Sequence, residues 1–325
     1  MTAIGLLGDV MLGRGVAAEL QYRPCEEVWD PSVRALAATL DLVVCNLECC
    51  LSDRGRPTSR ISGKPFFFRG PSAGIAALQA IGVRAISLAN NHALDFGPRA
   101  LADTLATAAA AGVAAAGAGR GLRAARRPVV VSAGGCRVGL VAVTDHPREY
   151  AAGPGRWGVA YADLRDGAPD WLLREIAAVR ERCDVVIAFP HWGPNMAAGP
   201  APWQHGVAAE LQSAGADLVA GHSAHIAHGV GWTARGPLLY DLGDALDDYA
   251  IDPVLRNDLG VLAVWRPGQA EDQLQLIGLR LEYARTALAA GAEAEWIAAR
   301  LEHACREQGT RVEREDVHVF RVRPV

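Results

Sequence analysis

The chain has 325 residues, 50% of them hydrophobic and 21% charged, with a formal net charge of −4. That balance excludes a strong global pull toward nucleic acid or a membrane surface, and leaves a small molecule or a peptide as the expected partner. Seven cysteines (Cys25, Cys45, Cys49, Cys50, Cys136, Cys183 and Cys305) show no Cys-x-x-Cys spacing. Neither a disulfide framework nor a zinc ribbon is favoured, and the reducing cytoplasm is the expected compartment.

The first apolar run, residues 4–8, stops at Asp9. It lacks a basic flank and is too short for a signal-peptide core or a membrane span. The sequence Gly8-Asp9-Val10-Met11-Leu12-Gly13-Arg14 puts a carboxylate just past a buried strand, where Asp also serves routinely as a turn or cap residue. A helix is expected over 32–39. The run 42–45 then ends in Asn46 and Glu48, and a Glu beyond a strand either ligates a hard cation or pairs with an arginine such as Arg54 or Arg60. Cys49 and Cys50, adjacent on an extended chain, should face opposite ways, so at most one lines a site, and a buried inert thiol is the expectation for each. Lys64 is the only lysine among 32 basic residues, a bias in composition that carries no functional weight.

Helices are expected over 72–81 and 98–111, flanking the run 85–88 that ends in Asn90-Asn91-His92. An amide oxygen beside an imidazole supplies one neutral ligand and one proton-transfer group. The Gly-, Ala- and Arg-rich segments 117–127 and 151–157 read as surface loops. Continuous hydrophobicity over 138–143 and 184–189 marks strands buried on both faces. The first leads to Thr144-Asp145-His146 and the second to His191-Trp192-Gly193-Pro194. Between and beyond them, helices are expected over 168–181 and 203–214. Residues 218–221 lead to His222 and His225, with His228 three further on, and 237–239 lead to an acidic turn carrying Asp241, Asp244, Asp247 and Asp248. That turn either holds a substrate cation or is a solvated loop. A helix over 286–308 and a strand over 317–322 close the chain, and residues 268–325 are expected to pack as an appendage on a domain of residues 1–267.

Short apolar runs alternating with Ala-rich helical stretches argue for an α/β fold. Strand C-termini on one rim are where such folds assemble their chemistry. Asp9, Glu48, His92, His191, His222 and His225 all follow such runs and point to one site, with Arg14, His146, Trp192 and Asp244 as expected substrate contacts.

Taken together, GDVMLGR at 8–14, NLE at 46–48, SLANNHALDFG at 87–97, HWGPN at 191–195, GADLVAGHSAH at 215–225 and LLYDLGDALDDY at 238–249 resemble the CapA family of poly-γ-glutamate capsule synthesis. The likeness spans about residues 4–262. It implies a metallophosphatase-like fold related to calcineurin-type phosphoesterases, a four-layer α-β-β-α sandwich of two mixed sheets. It further implies a metal cleft of Asp9, Glu48, Asn91, His191, His222 and His225, with His92 handling protons. Met11 stands where ordinary phosphoesterases carry a His, Asn46-Leu47-Glu48 replaces their Gly-Asp-x-x-Asp, and the closing Gly-His-x-His is stretched to His222 and His225.

These departures favour a different reaction on a similar site. The leading expectation is epimerisation of a peptidyl residue from L to D, with Asp9, Glu48, His92 and His222 as catalytic acids and bases. The alternatives are hydrolysis of a phosphoester or amide by a divalent ion (Mn, Mg, Zn or Ca), and a binding or assembly factor for polyglutamate or peptide. No organic cofactor, nucleic acid or membrane is expected.

Overall fold

In the computed structural model, which describes residues 2–268 and 273–325, side chains along the strand Val185–His191 point alternately into two cores. Val185, Ile187 and Phe189 face one cluster; Val186 and Ala188 face another. The strand Leu42–Leu47 behaves likewise: Leu42 and Val44 share the cluster of Phe189, whereas Val43, Cys45 and Leu47 face a third. With a side-chain period of two, each strand is covered on both faces. The shared cluster therefore lies between two sheets, and the other two lie outside them, which gives the α-β-β-α layering expected.

The larger sheet places Thr310–Asp316, Val319–Pro324, Gln273–Glu282, Leu259–Arg266, Ile4–Val10, Leu42–Leu47, Val83–Ser87 and Ala114–Ala116 side by side. Asp244–Leu246 also pairs, in parallel, with Ile4–Val10. The smaller sheet runs Val230–Thr233, Gly236–Leu239, Leu218–Ala220, Val185–His191, Cys136–Thr144 and Val129–Ala133. Both sheets are mixed. Helices Ile75–Gln79 and Gly97–Ala110 cover the larger sheet, and Asp170–Arg180 and Pro202–Ser213 cover the smaller.

Three expected elements differ. The last long helix is Gly291–Glu307, not 286–308, because Arg285–Leu288 pairs as a strand with Gln273–Glu282. The final strand is a hairpin of Thr310–Asp316 and Val319–Pro324. The segment 117–127 is not loop throughout: Ala118–Arg120 pairs with Trp157–Val159, and Leu122–Arg126 is helical. Ile297, Leu301 and Cys305 of the last helix join the between-sheet core. Among the described residues, no helix is long and apolar enough to cross a membrane.

Candidate metal centre and cleft

Asp9 stands in register with Asn46 on one neighbouring parallel strand and with Asp244 on the other. Across the between-sheet layer, His191 ends its strand opposite Thr144 and bridges to His222. Two glycines permit the close approaches. A Cβ on Gly8 would sit 2.0 Å from the Gly243 carbonyl oxygen, and one on Gly221 would sit 2.1 Å from that of Tyr240 and 2.4 Å from Trp192 Nε1. The turn after Gly221 holds Ser223 and His225 at positive φ, 118° and 62°, a conformation non-glycine residues keep only under outside constraint. The constraint is visible: Asp241 Oδ2 accepts from Ala224 N at 2.7 Å, and Asp244 Oδ1 lies 2.8 Å from His225 Nδ1.

The donors form two buried groups that share one residue. Asp9, His191 and His222 make the first; Asp9, Glu48, His225 and Asp244 make the second, with one ligand atom per residue lying within 4.8 Å of the others in its group. Asp9 Oδ1 is 3.3 Å from His222 Nδ1, and Asp9 Oδ2 is 3.4 Å from His225 Nδ1. Asp9 Oδ2, Glu48 Oε1, Asp244 Oδ2, His191 Nε2, His222 Nε2 and Asn91 Oδ1 are buried without a hydrogen-bond partner in the protein. Buried polar atoms are almost always paired, so the five orphans that belong to these two groups, with carboxylate and imidazole chemistry, fit a divalent ion, whereas among the described residues no contact ties the sixth, on Asn91, to them. Asp9, Glu48, Asp244, His191, His222 and His225 would hold such an ion, which would supply charge stabilisation and Lewis-acid polarisation of a substrate oxygen.

Charge in this cluster is mutually perturbed. Burial and the Asp9 charge push Glu48 up to about 8, and the same causes push Asp241 up to about 7. Burial drives Asp244 well above the usual carboxylate range. Asp9 goes the other way: burial opposes its ionisation, but the His222 bond and the charges of His222 and His225 outweigh it. His191 is held well below the ordinary imidazole value by burial and by His222, whereas Asp244 and Glu48 overcome burial to raise His225. The cluster carries more carboxylates than its surroundings can neutralise, which a cation would correct.

His92 is built separately. Its Nδ1 lies 2.6 Å from Asp95 Oδ2, and its ring stacks on Phe68 with centroids 3.9 Å apart. Asp95 Oδ2 also accepts from Phe68 N at 2.8 Å, while Oδ1 accepts from Tyr150 at 2.9 Å and lies 3.0 Å from Lys64 Nζ. A carboxylate already fixed by three other donors makes Nδ1 the protonated nitrogen, leaving Nε2 as the acceptor. Burial holds His92 down to about 4, so the imidazole is neutral at pH 7 with Nε2 as an acceptor.

A cavity of about 340 Å³ opens over these groups, lined by His92, His225, Arg14, Phe66, Phe68, Asn195 and Tyr249 among others. Arg14 Cζ lies 5.6, 5.7 and 5.9 Å from the ring centroids of Phe66, Phe68 and Tyr249. Its Nε is 3.3 Å from Asp248 Oδ2. His146, an expected substrate contact, does not line this cavity; it packs beside His191, with ring centroids 5.1 Å apart, and its Nδ1 is bonded to Asp145.

Two further expected substrate contacts lie elsewhere. Trp192 is fully buried in the outer core of the smaller sheet, its indole N–H donating to the Tyr240 carbonyl at 2.8 Å. It follows His191 directly, so the alternation that turns the histidine inward turns the indole away. Asp244 is buried behind His225 and belongs to the ion-binding group. The acidic turn is not solvated: Asp241, Asp244 and Asp247 are all buried. Glu48 does not pair with an arginine; it accepts from Tyr249 at 3.0 Å, and Arg54 pairs with Asp103. Cys49 and Cys50 are both buried, and burial raises both thiols. Met11 is buried, its sulfur accepting from Gly13 N at 2.9 Å.

Sequence reasoning did not assign Asp95, Tyr150 or Tyr249, and it set Lys64 aside. The Asn90–Asp95 segment held one usable signal, the three-residue spacing of His92 and Asp95 after a strand. Asn46 also has an unforeseen part, donating to Asp9 at 2.7 Å and accepting from Asn90 at 3.0 Å.

Residues 3–249 match the family described as bacterial capsule synthesis protein PGA_cap. A probable polyglutamine synthesis accessory protein of Mycobacterium tuberculosis is 32% identical over 94% of this chain and 91% of its own length. The capsule biosynthesis protein CapA of Bacillus anthracis is 26% identical over 75% of this chain and 59% of its own. Among solved structures, a phosphatase of Mycoplasma pneumoniae is 12% identical with a TM-score of 0.45, over 86% of each chain. An NAD nucleotidase of Haemophilus influenzae is 12% identical with a TM-score of 0.41, over 89% of this chain and 49% of its own. With its motifs, its layered fold and a family match running through most of its length, this chain belongs to the CapA family of bacterial capsule synthesis proteins.

Proposed function

We propose that this chain is an accessory protein in the synthesis of a polyglutamate-type polymer, and that its cleft holds a carboxylate-bearing chain against a divalent-ion centre. The observation that carries this reading is the junction of two features. Two buried donor groups share Asp9, and the cavity above them presents Arg14, whose guanidinium lies over three rings and keeps part of its fork free of Asp248. A planar guanidinium so held suits a carboxylate in two-point contact. The names of the family and of its relatives speak of capsule and polymer synthesis, which supports the assembly role. Three histidines among the donors favour Mn or Zn over Mg or Ca.

Hydrolysis is the second reading, supported by the neutral, Asp95-oriented His92 beside the ion groups. The peptide-epimerase expectation gains no support from the relatives or from the geometry. Titrating triglutamate into the Mn-loaded protein tests the proposal. Binding that weakens about ten-fold in Arg14→Ala, with polymer length unchanged on incubation, is the expected result. No binding with or without metal overturns it. Shortening of polyglutamate abolished by chelation selects hydrolysis instead, and a one-dalton gain in D2O without cleavage selects epimerisation.

A further inference from the structure

The two Gly-, Ala- and Arg-rich segments come together in space, outside the ion site. Ala118–Arg120 pairs with Trp157–Val159, and the helix Leu122–Arg126 packs alongside. Together with the short helical turn Arg148–Tyr150 they enclose a second cavity of about 530 Å³, lined by Arg126, Arg148, Arg156, Tyr161 and Asp163 among others. Over residues 117–127 and 148–161 there are six arginines against one acid, Glu149, in a chain whose net charge is −4. Among the described residues none of these six makes an ion pair with a carboxylate. Arg126 stacks on Trp171 at 4.3 Å, and Arg156 donates to the Ala151 carbonyl at 3.1 Å. Asp163, the acid in the lining, is taken by Arg165 through bonds of 2.9 and 2.5 Å.

One wall of this pocket stands close to the ion site. Thr144 stands opposite His191 on one side and bridges Tyr161 on the other, so Tyr161 lies about two strand spacings, roughly 10 Å, from His191. The helical turn that carries Arg148 ends in Tyr150, whose hydroxyl holds Asp95 behind His92. An extended peptide covers that span in about three residues.

We propose that the Arg126–Arg148–Arg156 pocket is a second binding site, an exosite for a run of carboxylates on a polyglutamate chain whose other part lies in the cleft. The polymer's identity rests on the proposed function, whereas the demand for repeated negative charge rests on the arginines alone. A chain engaging both sites gains affinity through the high local concentration of its second part. A short one engages only the cleft.

The test compares triglutamate with long poly-γ-glutamate, using the full chain and an Arg148→Glu/Arg156→Glu variant. Arg148→Gln, at an exposed side chain, serves as a milder second variant, and thermal melting checks the fold of both. Long-chain binding is expected to weaken about a hundred-fold in the double variant, with triglutamate binding unchanged. Equal long-chain affinity in the folded variants overturns the exosite, as does equally tight binding of uncharged polyglutamine. Tighter binding of polyphosphate through the same arginines overturns the assignment of a carboxylate polymer. If triglutamate fails to bind while the long chain binds and is lost in the variants, the cleft reading falls and the exosite stands.

Discussion

Removal of the divalent ion is expected to lower the melting temperature, by an amount that can be worked out. An ion at a hundred times its dissociation constant contributes about 2.7 kcal/mol to stability. With an unfolding entropy of about 2.1 cal/mol/K per residue, the 325-residue chain has a transition entropy of about 0.7 kcal/mol/K. One ion then raises the melting temperature by about 4 °C, and two by about twice that. Asp9→Asn takes a charge from both donor groups at once, so the variant should respond to added Mn or Zn by less than about 1 °C. Thermal melts of chelated protein against a metal titration provide the assay. The reasoning is refuted if none of Mn, Zn, Mg or Ca shifts the parent protein, or if Asp9→Asn shifts equally.

Three further outcomes follow from individual contacts. Asp95→Asn leaves the nearly buried Lys64 without its ion pair and turns one of the two oxygens that accept from His92, Phe68, Tyr150 and Lys64 into a donor, so denaturant unfolding should show a loss of about 3–5 kcal/mol; a loss below about 1 kcal/mol would falsify the four-donor reading. His228 is buried and held down to about 4 from an ordinary 6.5, so between those pH values the unfolded chain binds the proton and the folded one does not. The His228 contribution, up to about 3 kcal/mol, is therefore lost on acidification across that window, so the parent should lose that much more stability there than His228→Gln; parallel stability curves for the two proteins would contradict it. Gly221→Ala drives a methyl into the Tyr240 carbonyl and Trp192 Nε1, with an expected cost of about 1–3 kcal/mol in the denaturant midpoint, and an unchanged midpoint would show that the turn yields freely.

Strand ends were readable because a buried strand is a short apolar run and its C-terminal polar residue interrupts that run. Asp9, Glu48, His92, His191, His222 and His225 were visible on those terms, and the structure brings them together. What supports them was not visible. Asp95 is gripped by Lys64 and Tyr150, and Glu48 by Tyr249, from segments far away in the chain, and nothing local marks such a partner. Burial of the acidic turn was equally hidden, since Asp241 and Asp244 look solvated until the positive-φ turn they hold is seen. Trp192 was misassigned for a reason the sequence did contain. A residue beside an inward-facing strand end faces outward.

Asp9 and Glu48 hang from the larger sheet, and His191 and His222 from the smaller. An ion shared between them would be a rivet across the seam of the sandwich, set at the rim of a mainly apolar layer between the sheets. It cannot seat until the seam has closed, because residues 9 and 222 share no local structure that would pre-form the donors. Uptake of metal during refolding would then mark the closing of that seam, and prising the sheets apart would release the ion before either sheet lost its own hydrogen bonds.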